Sequence, residues 1–371
     1  VLGGRPASAS SLGESVIAST PARSSTPGSA RTGAAASGPA GRGSARPGQG
    51  ETLGATGEFA VIDAVTAGRM QPVSTLLGPG DDAAVVRTSD GRVVSTVDMA
   101  VEGVHFRTDW SEGEQIGRRA ALAAMADVAA MGARPTALLV ALGAPPQTPV
   151  SLVRQIGDGL HAAAAEAGAG VVGGDLTSAL AISIAVTVLG DLDGREPVLR
   201  SGAKPGDLIA VCGRIGWAAA GFTVLSRGFR SPAQAVAAFR VPEPPLAAGP
   251  VAAAAGATAM VDVSDGLLAD LGHIAAASGV SMSVLTAALQ VPPRLAEVAS
   301  ALGKDPMSWL LTGGEDHALA ATFPSGTEPP EGWTPIGTVG PAPGQSEPAV
   351  TVDGAEYEGP AGWDHFPRAG E

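Results

Sequence analysis

The stretch Ala259-Met-Val-Asp262-Val-Ser264-Asp265-Gly266-Leu-Leu-Ala-Asp-Leu271 passes without a break from a short apolar run into a helix-like pattern. Five residues suit a buried strand over 259–263, and helix is expected to follow over 266–277. A strand that hands over directly to a helix is the building unit of α/β folds. Two acids and a hydroxyl sit at the handover. Asp265, or alternatively Ser264, is able to cap the helix, but capping accounts for one of the three.

Outward from this junction, the same alternation is expected on both sides. Toward the C-terminus come strands at 281–285, 318–323 and 335–339; before it come a strand at 208–212 and a helix at 217–226. Further back, helices are expected at 58–67, 111–131 and 149–167, with strands at 92–101, 137–142, 170–174 and 181–189. The turn-rich Arg200-Ser-Gly-Ala-Lys-Pro-Gly-Asp207 links the two series. The expectation is therefore an α/β chain of two domains, residues 57–194 and 195–371. Residues 1–56 are rich in Gly, Ala, Ser, Pro and Arg without hydrophobic period and read as a disordered tail, or alternatively as a targeting segment.

The chain has 371 residues, 45% of them hydrophobic, enough for two cores. Its apolar runs are shorter than the roughly 20 residues that span a bilayer. Net charge is −13. An acidic protein without a basic block interleaved with aromatics is a poor partner for nucleic acid. To handle anionic ligands it needs placed arginines or divalent cations. Its one cysteine, Cys212, lies in an apolar run, which excludes an intrachain disulfide and fits a cytoplasmic location.

Acids recur beside glycines. The runs are Gly80-Asp81-Asp82, Thr96-Val97-Asp98 near a strand end, Gly173-Gly174-Asp175, and Thr312-Gly-Gly-Glu315-Asp316-His317. Each alone is explained by a solvated turn. Asp127 differs, because it interrupts the alanine-rich helix Ala120-Ala-Leu-Ala-Ala-Met-Ala-Asp127-Val-Ala-Ala-Met131 and faces either solvent or a cation. Carboxylates on glycine turns are the hard oxygen ligands that Mg2+ prefers. Gly168-x-Gly170-x-x-Gly173 matches a dinucleotide fingerprint, but it follows a helix and enters a strand, the reverse of the required order. No P-loop, protein-kinase catalytic loop, nucleophile elbow or zincin helix is present.

Taken together, Gly57-Glu-Phe59, Gly80-Asp-Asp-Ala83, Gly103-Val-His-Phe106, Asp127-Val-Ala-Ala-Met-Gly132, Gly173-Gly-Asp175, Arg200-Ser-Gly-Ala-Lys-Pro-Gly-Asp207, Asp262-Val-Ser-Asp-Gly266, Gly313-Gly-Glu-Asp316 and Trp363-Asp-His-Phe366 resemble the thiamine-monophosphate kinases. These belong to a superfamily that includes aminoimidazole-ribonucleotide and selenophosphate synthetases. The resemblance covers nearly everything after the tail. It implies that Asp82, Thr96, Val97, Asp98, Asp127, Asp175 and Asp262 surround Mg2+ at the ATP phosphates, with a further metal at Asp265. It also implies ATP contacts from Gly174, Asp175, Arg200 and Ser264, and contacts to thiamine monophosphate from His105, Glu315 and Trp363. A homodimer whose N-terminal sheets pair into a barrel is implied too.

Two residues depart from the family pattern: Val97, where the family's Ser-Thr-Asp run has Thr, and His317, where Tyr often stands. His317 is given no role. The acceptor phosphate has a second pKa near 6 and is largely a dianion at neutral pH, so direct in-line transfer needs no general base. The rival readings are a superfamily synthetase acting on another acceptor, and a non-catalytic dimer that binds nucleotide or cations.

Overall fold

The computed structural model describes residues 52–56, 58–79, 84–342 and 350–363. Over these the chain is mixed α/β. Its first part comprises α1 (Leu53–Thr56), α2 (Glu58–Thr66), β1 (Thr75–Leu77), β2 (Val85–Val86), β3 (Val94–Val101), α3 (Gly113–Ala130), β4 (Arg134–Ala144), α4 (Val150–Glu166), β5 (Gly170–Ser178) and β6 (Ser183–Asp191). There follow β7 (Leu208–Cys212), α5 (Trp217–Ser226), α6 (Ala233–Arg240), α7 (Ala248–Ala254), β8 (Ala259–Val263), α8 (Leu267–Ser278) and β9 (Val280–Val284). The last elements are α9 (Pro293–Leu302), α10 (Pro306–Thr312), β10 (Ala318–Phe323), β11 (Trp333–Pro341), β12 (Val350–Val352) and β13 (Ala355–Glu356).

Two sheets organise the molecule. One has four strands in the order β3-β6-β4-β5; the other has seven, β13-β12-β9-β11-β7-β10-β8. In the smaller sheet only β4 and β5 run parallel. Among the described residues no helix is long and apolar enough to cross a membrane.

Most expected elements are present, with shifted ends. Leu53–Thr56 forms a helical turn inside the stretch expected to lack structure, because the backbone nitrogens of Leu53 and Gly54 bond the carbonyls of Thr148 and Pro146. Residues 1–51 of that stretch lie outside the described residues. Gly173, Gly174 and Asp175 do not end a strand; β5 runs on to Ser178 because β4 pairs with it as far as Ala144. The short helices α6, α7 and α9 went unread, since seven to ten residues rich in alanine carry little periodic signal.

Helix α3 explains the geometry of the whole. Fourteen of its eighteen residues are buried, on every face. Its first turns pack with Leu138, Ile156 and Ile184 on the smaller sheet and α4. Its last turn, Ala129 and Ala130, packs with Met260, Leu319 and Phe323 on the larger sheet. A helix covered on both sides has room for alanine and little else. Where it crosses α4, an added Cβ at Gly117 would stand 2.0 Å from the Ile156 carbonyl oxygen, and one at Gly159 2.0 Å from that of Glu114. The two glycines let the backbones touch.

Candidate active site

Because α3 lies against both sheets, acids distant in sequence meet in one cleft of about 260 Å3. Asp98 and His105 come from β3 and the turn after it, Asp127 from α3, and Asp262, Ser264 and Asp265 from β8 and its exit; Glu315 and His317 come from the turn before β10. The Thr96 hydroxyl donates to Asp127 Oδ2 at 2.8 Å. His105 Nδ1 accepts from the Val101 nitrogen at 3.1 Å, which places the proton of a neutral ring on Nε2.

Asp127 is half-buried and lies among other carboxylates, Asp98 and Asp262, with His317 near by. Burial, then the charge of Asp262, push its carboxyl up to about 6 against the Thr96 hydrogen bond. Carboxylates drawn together from separate elements, as Asp98, Asp127, Asp262 and Asp265 are here, are the donor set of a hard divalent cation. The residues present therefore fit Mg2+.

Helix capping is assigned differently from the sequence reading. Neither Ser264 nor Asp265 caps α8. Asp270, inside the helix, accepts the backbone nitrogens of Asp265 and Gly266 at 3.1 and 3.0 Å. Both candidate caps are thereby left to line the cleft. Burial and then Asp262 push the Asp270 carboxyl up to about 7. Sequence spacing contains the signal, an acid four residues into the helix.

The Gly313-Gly314 pair permits the opposite wall. A Cβ on Gly314 would stand 2.3 Å from the Ser264 carbonyl oxygen. That close approach lets the Glu315 nitrogen bond Ser264 O at 2.7 Å and the His317 nitrogen bond Val263 O at 2.9 Å. Glu315 and His317 adopt φ of 70° and 53°, a region uncommon for residues with side chains. Between them Asp316 turns the other way, its Oδ1 accepting the Ala218 nitrogen at the start of α5 at 2.9 Å; burial pushes its carboxyl up to about 7.

Two cationic groups were missed in the sequence. Arg119, 3% exposed, reaches from α3 to Glu315 with Nη2 at 2.5 Å from Oε2. Burial works upward on Glu315, but the Arg119 charge and then His317 bring its carboxyl down to about 2. His317 donates from Nδ1 to Asp262 Oδ2 at 3.2 Å, and its Nε2 lies 3.8 Å from Glu315 Oε2. Burial alone would lower its ring; the carboxylates of Asp262 and Glu315 push it up to about 10. An arginine in an alanine-rich buried helix was the available signal for Arg119.

Other expected site residues stand apart within one chain. The Val97 side chain is 64% exposed on the open face of β3, opposite to Thr96 and Asp98. Gly174 and Asp175 lie on β5, the far edge of the smaller sheet from β3. That is three strand spacings, roughly 14 Å. Arg200 is exposed on a 3-10 turn, Arg200–Gly202, and does not line the cleft. The Trp363 nitrogen donates to the Asp265 carbonyl at 2.9 Å, which holds an exposed ring beside the β8 exit. Asp82 lies outside the described residues.

A helix-bound acid opposed to acids at a strand exit defines a class of α/β protein that needs no P-loop. Residues 80–192 match the family model "AIR synthase related protein, N-terminal domain". The chain is 50% identical to the thiamine-monophosphate kinase of Mycobacterium tuberculosis, over 85% of this chain and 93% of that one. To that of Corynebacterium glutamicum it is 42% identical, over 85% and 96%. A solved structure, AaThiL complexed with AMPPCP and TMP, aligns with TM-score 0.69 and 31% identity, over 84% of this chain and 97% of that one. This chain belongs to the thiamine-monophosphate kinase family.

Proposed function

We propose that the protein transfers the γ-phosphoryl group of ATP to the phosphate of thiamine monophosphate, yielding thiamine diphosphate. The observation that carries this reading is the meeting of Asp98, Asp127, Asp262 and Asp265 with Glu315 and His105 in one cleft. Asp98, Asp127, Asp262 and Asp265 would hold Mg2+, Thr96 orienting Asp127 through its hydroxyl. Bound there, Mg2+ supplies the positive charge that lets two phosphate-bearing substrates approach. Val97 directs its side chain away from this wall and would serve the site through its backbone carbonyl.

Glu315, His105 and Trp363 are assigned to the acceptor; Ser264, Gly174, Asp175 and Arg200 to ATP. The acceptor phosphate attacks in line as a dianion, and no residue is required to remove a proton. A homodimer accounts for Gly174 and Asp175. The open face of the smaller sheet exposes Val97, Met99 and Leu139, apolar surface that a second copy would cover in a barrel, bringing its own β5 edge toward β3. Residues 57–194 and 195–371 act as two domains in this reading, each with its own sheet. The buried, unpaired Cys212 suits a reducing cytoplasm.

Incubation with ATP, Mg2+ and thiamine monophosphate, followed by chromatography, tests the reading. Thiamine diphosphate is the expected product; none at any Mg2+ concentration would sink it. Chiral labelling of the γ-phosphoryl group should give inversion, and retention would refute direct transfer.

A further inference from the structure

Arg119 is the most thoroughly buried cation of the cleft, and the reaction as described gives it no task. It springs from α3, on the side of the smaller sheet, and all its partners belong to the larger one. Nη2 meets Glu315 Oε2 at 2.5 Å, Nη1 donates to the Phe239 carbonyl near the end of α6, and the guanidinium lies 4.7 Å from the centre of the Phe239 ring. Carboxylate, carbonyl and ring face are three different partners arranged for one planar, permanently charged fork. A lysine ammonium cannot serve all three at once.

Glu315 needs such a hold. Its backbone already sits at φ 70°, and its neighbours across the cleft are acids. Left alone, a carboxylate there would swing away from Asp262 and toward water, which reaches 35% of its side chain. Arg119 grips Oε2 from behind, His317 stands 3.8 Å from the same oxygen, and the exposed side of the carboxylate remains toward solvent. The thiazolium ring of thiamine monophosphate carries a permanent positive charge that such a fixed carboxylate would meet.

Resting on the proposed assignment of Glu315 to the acceptor, we propose that Arg119 is a positioning residue for acceptor selection, acting through Glu315 by pinning one carboxylate oxygen so that the other faces the acceptor. It joins the two sheets at the acceptor side of the cleft and leaves the ATP side untouched.

Arg119→Met, Arg119→Lys, Glu315→Gln and the Arg119→Met/Glu315→Gln double variant test this. Thiamine monophosphate binding is measured by calorimetry without ATP, and KM is measured for each substrate. Arg119→Met should raise the acceptor Kd and KM about tenfold to a hundredfold, as loss of a charge-assisted hydrogen bond does, with the KM for ATP unchanged. Arg119→Lys should recover part of that loss and, if the Met variant does not fold, decides the matter alone. The double variant should bind the acceptor no worse than Glu315→Gln, because the two residues act as one.

An unchanged acceptor Kd in Arg119→Lys and Arg119→Met would overturn the proposal. So would equal rises in both KM values, or additive losses in the double variant. Wild-type protein that forms no thiamine diphosphate would instead bring down the assigned reaction, which the binding measurements keep separate.

Discussion

Replacing Asp127 with Asn should make the metal-free protein more stable while destroying its activity. Burial and the charge of Asp262 hold the folded Asp127 carboxyl at about 6, against a value of 3.8 for a free side chain. A carboxyl raised in the folded state stabilises fully below 3.8, where it is protonated in both states, and that contribution is lost as pH rises through about 6. At pH 8 the ionised group therefore costs the fold about 3 kcal/mol; at pH 4.5 the same linkage leaves about 1 kcal/mol. Asn keeps the size and an acceptor for the Thr96 hydroxyl and removes the charge. Urea unfolding in EDTA should show Asp127→Asn more stable than wild type by about 2–3 kcal/mol at pH 8, and by about 1 kcal/mol at pH 4.5. Added Mg2+ should stabilise the wild type at pH 8 and not the variant. A variant no more stable at pH 8, or stabilised equally at both pH values, would mean that the Asp127 carboxylate carries no such cost.

Glu315→Gln leaves the Arg119 guanidinium buried without a counter-ion. Breaking a buried pair costs ~3–5 kcal/mol, and solvent at Glu315 argues for the lower end, so a calorimetric melt should show a clear loss. Gly117→Ala drives a methyl into the Ile156 carbonyl; the variant should lose at least ~2 kcal/mol by urea titration, and a neutral result would mean α3 and α4 can separate freely. Val97→Ser should leave the Mg2+ concentration for half-maximal turnover unchanged, since the side chain faces away from the cleft. A lower requirement would return the side chain at position 97 to the metal site.

The strand-to-helix junction at Asp262 and the isolated Asp127 were legible because local patterns carry them: a short apolar run, a glycine, an acid in an otherwise apolar helix. The cap of α8 was misread, since Asp265 and Ser264 stand at the expected position and the competing Asp270 wins only when the backbone turns at Gly266. Arg119 and His317 went unassigned because their partners, Phe239 and Asp262, are 120 and 55 residues away. Sequence by itself determined which acids are available, that they sit beside glycines, and that no P-loop replaces them. Tertiary structure decided which of them share a cleft, by laying one alanine-rich helix against both sheets, so that Asp98, Asp127 and Asp262 meet while Asp175 stays at the far edge strand. Charges act through space over a few ångströms, and only packing sets that distance.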